Sequence, residues 1–153
     1  MLKQFQDLIG GILSGGETEA LKGDDVRIAC AALLVHCAKA DGVQSPEENA
    51  KLREVLSVHY EMSDSDTQAL IDQATAREAE AADIHNFTRV LHKSLDRKGR
   101  LEVVRLLWEI SNADQSIDHD ERLLVHLVAG LLDVEMHDVV ALRRSVSGRG
   151  STS

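Results

Sequence analysis

Proline and aromatic side chains are almost missing from this 153-residue chain: one proline, one tryptophan, one tyrosine and two phenylalanines. Ala, Leu, Val, Glu and Asp dominate instead, which makes helix the default. No segment alternates polar and apolar residues between hairpin turns, so no sheet is expected. Positive charge is also short. Seventeen Lys and Arg face 26 Asp and Glu, a net charge of −9. Binding to nucleic acid needs a basic face to neutralise phosphates, and none is available. An anionic membrane surface is disfavoured for the same reason. Cysteine is limited to Cys30 and Cys37. Seven apart on one helix, they lie too far apart for a disulfide. No CxxC is present to suggest zinc. They read as small buried side chains in a reducing cytoplasm. No apolar run approaches the roughly 18–20 residues that cross a bilayer. Residues 1–16 lack a basic n-region and a cleavage site, so a cytoplasmic protein is expected.

What is present is a series of helix signals. Leu2, Phe5, Leu8, Ile9, Ile12 and Leu13 fall on one helical stripe. Residues 1–23 are read as this amphipathic helix followed by a Gly-rich flexible link over 14–23. Residues 24–146 are read as one helical domain, and 147–153 as a disordered tail. Within the domain, Asp24 or Asp25 is expected to cap the first helix, with Gly42 ending it. Ser45, Pro46 and Glu48 spell a capping box with proline at its first helical position. Ser63 with Asp66, Asp83, Asp96, and Asp118 with Glu121 mark the later starts. A last helix is expected over roughly 136–146.

Two loops echo each other. "ADGVQSPEE" begins at Ala40 and "ADQSIDHDE" at Ala113, so Asp114 follows Asp41, and Glu121 follows Glu48, by the same 73 positions. The echo extends into the apolar pattern. At that offset Leu33 meets Leu106, Leu34 meets Leu107, Cys37 meets Ile110, Leu52 meets Val125 and Val55 meets Val128. With a one-residue gap, "DTQAL" at 66–70 echoes "DVVAL" at 138–142. The expected fold is therefore all-α: a compact bundle of about seven to eight helices in two pseudo-twofold-related helix-loop-helix halves. Leu33, Leu34, Cys37, Leu52, Val55, Leu107, Ile110, Val125 and Val128 are its expected core. Three histidines match surface-type residues, His36 with Glu109, His119 with Pro46 and His126 with Arg53, and the seven are expected in solvent rather than around a metal.

Glu48 and Glu121 lie where a carboxylate favours a helix N-terminus, so helix-end chemistry accounts for them. Asp41 and Asp114 fall at helix C-terminal ends, which disfavour negative charge by a few tenths to about 1 kcal/mol. Two compensations fit. Asp41 can brace its own loop by accepting backbone N–H bonds. Alternatively Asp41, Glu48, Asp114 and Glu121 can share a hard cation such as Ca²⁺ or Mg²⁺.

The loops resemble those of the TerB family, the tellurite resistance protein B-like domains of bacteria, whose pattern is roughly A-D-G-x-[IV]-x-x-x-E once per half. Here it is matched at Ala40, Asp41, Gly42 and Glu48, and again at Ala113, Asp114, Ile117 and Glu121, with Gln44 and Gln115 departing from it. The resemblance covers about residues 24–146. It implies a helical domain of tellurite resistance and wider stress responses, with acidic residues suited to metal and no catalytic activity. The residues add no sign of an enzyme: no nucleophile is paired with a base, and "LIGGILSGG" lacks the GK[ST] of a phosphate loop. The function expected is a non-enzymatic cytoplasmic stress-response domain holding a divalent cation at Asp41, Glu48, Asp114 and Glu121. The alternative is a protein-interaction module docking on a partner or membrane complex without metal. A protein partner, homodimerisation, and membrane association through residues 1–13 alone complete the expectations.

Overall fold

The computed structural model describes residues 18–39, 45–113 and 119–151, with side chains over 25–39, 45–113 and 120–147. Among the described residues there are seven helices and no strand: α1 (Thr18–Ala38), α2 (Pro46–His59), α3 (Asp64–Glu80), α4 (His85–Ser94), α5 (Arg97–Ser111), α6 (His119–Leu131) and α7 (Met136–Ser151). None is long and apolar enough to cross a membrane.

Local chemistry sets most of the starts. Ser45 accepts the Glu48 N–H while Glu48 reaches back to the Ser45 backbone, the reciprocal box expected for α2. Ser63 caps α3 through the Asp66 N–H, and Asp96 caps α5 through the Gly99 N–H. Asp83 accepts the His85 N–H just ahead of α4, whose N-cap is Ile84 and not Asp83. Asp118 and Gly42 lie outside the described residues.

Two boundaries differ from the sequence reading. α1 starts at Thr18, not at Asp24 or Asp25, so the link expected over 14–23 is helical from Thr18 onward. Glu19, Ala20, Leu21 and Lys22 are strong helix formers, and Gly23 alone costs only about 1 kcal/mol. α7 likewise continues to Ser151, into the tail expected over 147–153. Gly148 and Gly150 weaken that turn, but no proline stops it.

The core is continuous. All nine expected core residues are buried, each 5% exposed or less. Trp108, fully buried, donates its indole N–H to the Val139 carbonyl at 3.1 Å, tying α5 to α7. α1 packs on α2, α3, α4, α5 and α6; α5 packs on α1, α2, α6 and α7. α1–α2–α3 thus form one mutually packed set and α5–α6–α7 another, with α4 between them in the chain.

The exits of α2 and α6 are built alike. Glu61 and Asp133 are the two non-glycine residues at positive φ among the described residues, at 52° and 58°. Met62 N–H reaches back to the Ser57 carbonyl at 3.0 Å, and Val134 N–H to the Ala129 carbonyl at 2.8 Å. Both are the six-residue closure of a Schellman turn. They match with the one-residue gap that aligns "DTQAL" with "DVVAL".

Candidate acidic site

α2 and α6 each bring one glutamate inside. Glu48 is 1% exposed and Glu121 2%; among the described residues no other ionisable acid or base of the Asp, Glu, Lys and Arg class is buried. The reason lies in spacing. Glu48, Leu52 and Val55 fall at i, i+4 and i+7, as do Glu121, Val125 and Val128. Each carboxylate therefore stands at the head of its helix's apolar stripe. Helix-end chemistry alone, the sequence-based account of these two residues, leaves their burial unexplained.

Glu48 Oε1 accepts from the Ser45 N–H at 3.3 Å and from the Ser45 hydroxyl at 3.2 Å. Its Oε2 is buried and has no hydrogen-bond partner among the described residues. Leaving a buried acceptor unsatisfied costs about 1–3 kcal/mol, more when it is charged.

The two glutamates act on one spot. Cys37, in the last turn of α1, meets Ser111, at the end of α5, with Sγ and Oγ 3.3 Å apart and both residues fully buried. Burial pushes the Cys37 thiol up to about 12; the Ser111 contact opposes this, and the charges of Glu121 and Glu48 add to it. Carboxylates from the two halves thus share the neighbourhood of a single buried thiol. Cys30 is likewise pushed up by burial, to about 11. Cys37 was legible as core from its match to Ile110; its contact with Ser111 was not.

Asp41 and Asp114 lie outside the described residues. Of the four expected ligands, Glu48 and Glu121 are therefore the two that the structure places. Among the described residues no three His, Cys, Asp or Glu gather closely enough to hold a metal ion.

The histidines diverge from a solvated reading in part. His36 Nδ1 lies 2.8 Å from Glu78, which also takes Lys39 Nζ at 2.7 Å. Burial works against the Glu78 carboxylate, but its bonds to Lys39 and His36 outweigh that and hold its pKa below the ordinary value. His126 is half-buried, edge-on to Trp108 at 5.8 Å.

The family model described as tellurite resistance protein TerB matches residues 27–144. This chain belongs to the TerB family. The match begins within α1 and ends within α7, so it takes in both buried glutamates and both Schellman turns. No curated protein and no solved structure matches the chain significantly. The TerB fold here is all-α, as the resemblance implied.

Proposed function

We propose that this TerB-family domain is a non-enzymatic stress-response module of the cytoplasm that takes up a divalent cation, Ca²⁺ or Mg²⁺, between its two acidic loops. The observation that carries this reading is the pair Glu48 and Glu121: equivalent, buried, and bearing on the same thiol. Two like charges in a protein interior repel and lack solvation. A cation between the loops would offset both effects, and the orphaned Glu48 Oε2 is the kind of oxygen it would engage. Asp41 and Asp114, each seven residues upstream in sequence, would complete the oxygen set.

A non-catalytic role is supported by the same chemistry. A nucleophilic cysteine needs a depressed pKa and access to solvent. Cys37 has neither, since burial and two carboxylates hold it protonated.

Calorimetric titration tests the reading. Ca²⁺ or Mg²⁺ added to the full chain should bind with a weak, saturable signal. Asp41→Asn should abolish it almost as fully as Asp41→Ala, because the ligand's charge is lost. If Asp41 only braces its loop, no binding is seen and Asp41→Asn leaves stability unchanged. A second reading, an interaction module that docks on a partner without metal, is favoured by one observation: Leu123 and Leu127 of α6 are more than half exposed.

A further inference from the structure

Three basic side chains gather at Trp108. The His126 ring meets the indole edge-on with centroids 5.8 Å apart, and the Arg143 guanidinium lies over it, also at 5.8 Å. Arg122 precedes His126 by one turn on α6, so the two share a flank of that helix. All three are half-buried. Two of their nitrogens, Arg122 Nε and His126 Nδ1, are cut off from solvent and have no hydrogen-bond partner among the described residues. Buried polar groups left unpaired destabilise a fold, most of all where they carry charge.

No carboxylate offsets them. Arg97 pairs with Asp138, and Arg105 with Glu102 and Glu109. Among the described residues no such ion pair reaches Arg122, His126 or Arg143, although acids outnumber Lys and Arg by 26 to 17 in the chain.

Nor does the fold require the cluster. At the offset of 73, Trp108 answers to Val35, Arg122 to Asn49 and His126 to Arg53; with the one-residue gap, Arg143 answers to Ile71. The first half keeps its buried glutamate and its Schellman turn without these donors. The flank is also open at one end. Gly130 continues the row of Arg122 and His126, is exposed, and a Cβ built on it would meet nothing within 4 Å.

We propose that this flank of α6, beside Trp108, binds a small oxyanion of the phosphate class, with Arg122 and His126 donating from α6 and Arg143 from α7. An imidazole Nδ1 can donate, and a guanidinium fork matches the spaced oxygens of phosphate. Donors from two helices suit a tetrahedral group better than a planar carboxylate. Free phosphate and the terminal phosphate of a larger compound share this chemistry. The inference uses none of the four acidic-site residues and is independent of any cation.

Proton NMR of the metal-free full chain, titrated with inorganic phosphate at constant pH and ionic strength, tests it. The His126 ring signals should shift saturably, while those of exposed His85 and His137 stay in place. A net charge of −9 repels anions, so diffuse attraction cannot mimic this. Arg122→Gln and Arg143→Gln should each weaken binding at least about tenfold. Arg53→Gln, at the position matching His126, should leave it unchanged. Arg122→Lys keeps the stem and the charge but not the fork; it should fold as the native chain does and bind between the native chain and Arg122→Gln. Glycerol phosphate binding as tightly as inorganic phosphate assigns the site to a terminal phosphate, and weaker binding to the free ion; both uphold it. The absence of a saturable shift at His126 would overturn the proposal. So would acetate binding as tightly as phosphate, or Arg53→Gln weakening binding as much as Arg122→Gln.

Discussion

α2 presents Ala50 and Glu54 on its outer side; at the matching positions, 73 residues on, α6 presents Leu123 and Leu127. The inner sides of the two helices agree. Each opens with a buried glutamate, continues through matched apolar residues, and ends in the same Schellman turn. The outer side of α2 belongs to an ion-pair network in which Lys51 reaches Glu54 and Glu109, and Arg105 pairs with Glu102 and Glu109. The outer side of α6 exposes Leu123 and Leu127, with Asp120 one turn ahead of Leu123. The features shared by the halves are those the fold and the acidic site require. The features that differ lie on the exposed sides of the two helices.

The comparison can be strained first in the core. Leu34 and Leu107 are matched and both fully buried. Leu34→Ala and Leu107→Ala should each cost about 2–5 kcal/mol in chemical denaturation. Costs differing by more than about 2 kcal/mol would mean that the halves carry unequal shares of the core.

Ser45→Ala comes next, at about 1 kcal/mol, since it removes the α2 cap and one partner of Glu48. Urea melts would register it as a lower midpoint with an unchanged slope.

These two effects concern features that were legible in the sequence. The caps at Ser45, Ser63 and Asp96 are local, each set by residues three apart, and spacing alone placed the nine core residues. The start of α1 was not legible, because Gly23, Asp24 and Asp25 imitate a link and a cap while the residues before them favour helix. The burial of Glu48 and Glu121 was signalled by their i, i+4, i+7 relation to the core but outweighed by their fitness as helix-end charges. The Cys37–Ser111 contact spans 74 positions, and no local pattern encodes it.

The Schellman turns sharpen the comparison at smaller magnitude. Glu61 holds a left-handed conformation that costs a side chain about 1–2 kcal/mol. Glu61→Gly should therefore stabilise the protein, by about 0.5–1 kcal/mol after the entropy of glycine is counted. Asp133→Gly should give less, because aspartate tolerates this region better and Asp133 also takes His92 at 2.6 Å. Thermal melts of the two variants side by side would show whether equal backbones respond unequally.

The two helix-interior glycines, Gly130 and Gly99, contrast at the same small scale. Gly130→Ala should raise stability by about 0.5–1 kcal/mol, with no internal clash to oppose it. Gly99→Ala should gain nothing, because its Cβ would press on Leu95. A destabilised Gly130→Ala would mean that α6 is constrained from outside even in the isolated chain.

The central claim is that Glu48 and Glu121 are one site shared by two halves. Its most direct measurement is the melting temperature of the full chain with and without millimolar Ca²⁺ or Mg²⁺, compared with Glu48→Gln/Glu121→Gln. A cation that binds only the folded state must raise the melting temperature, by about 3–8 °C at ten- to a hundredfold excess over its dissociation constant. The glutamine pair keeps the cap oxygens but not the charges. Relieved of two buried like charges, it should melt at or above the native temperature without cation and show no rise with it. A native protein indifferent to both cations, or a glutamine variant that responds as the native chain does, would contradict the account.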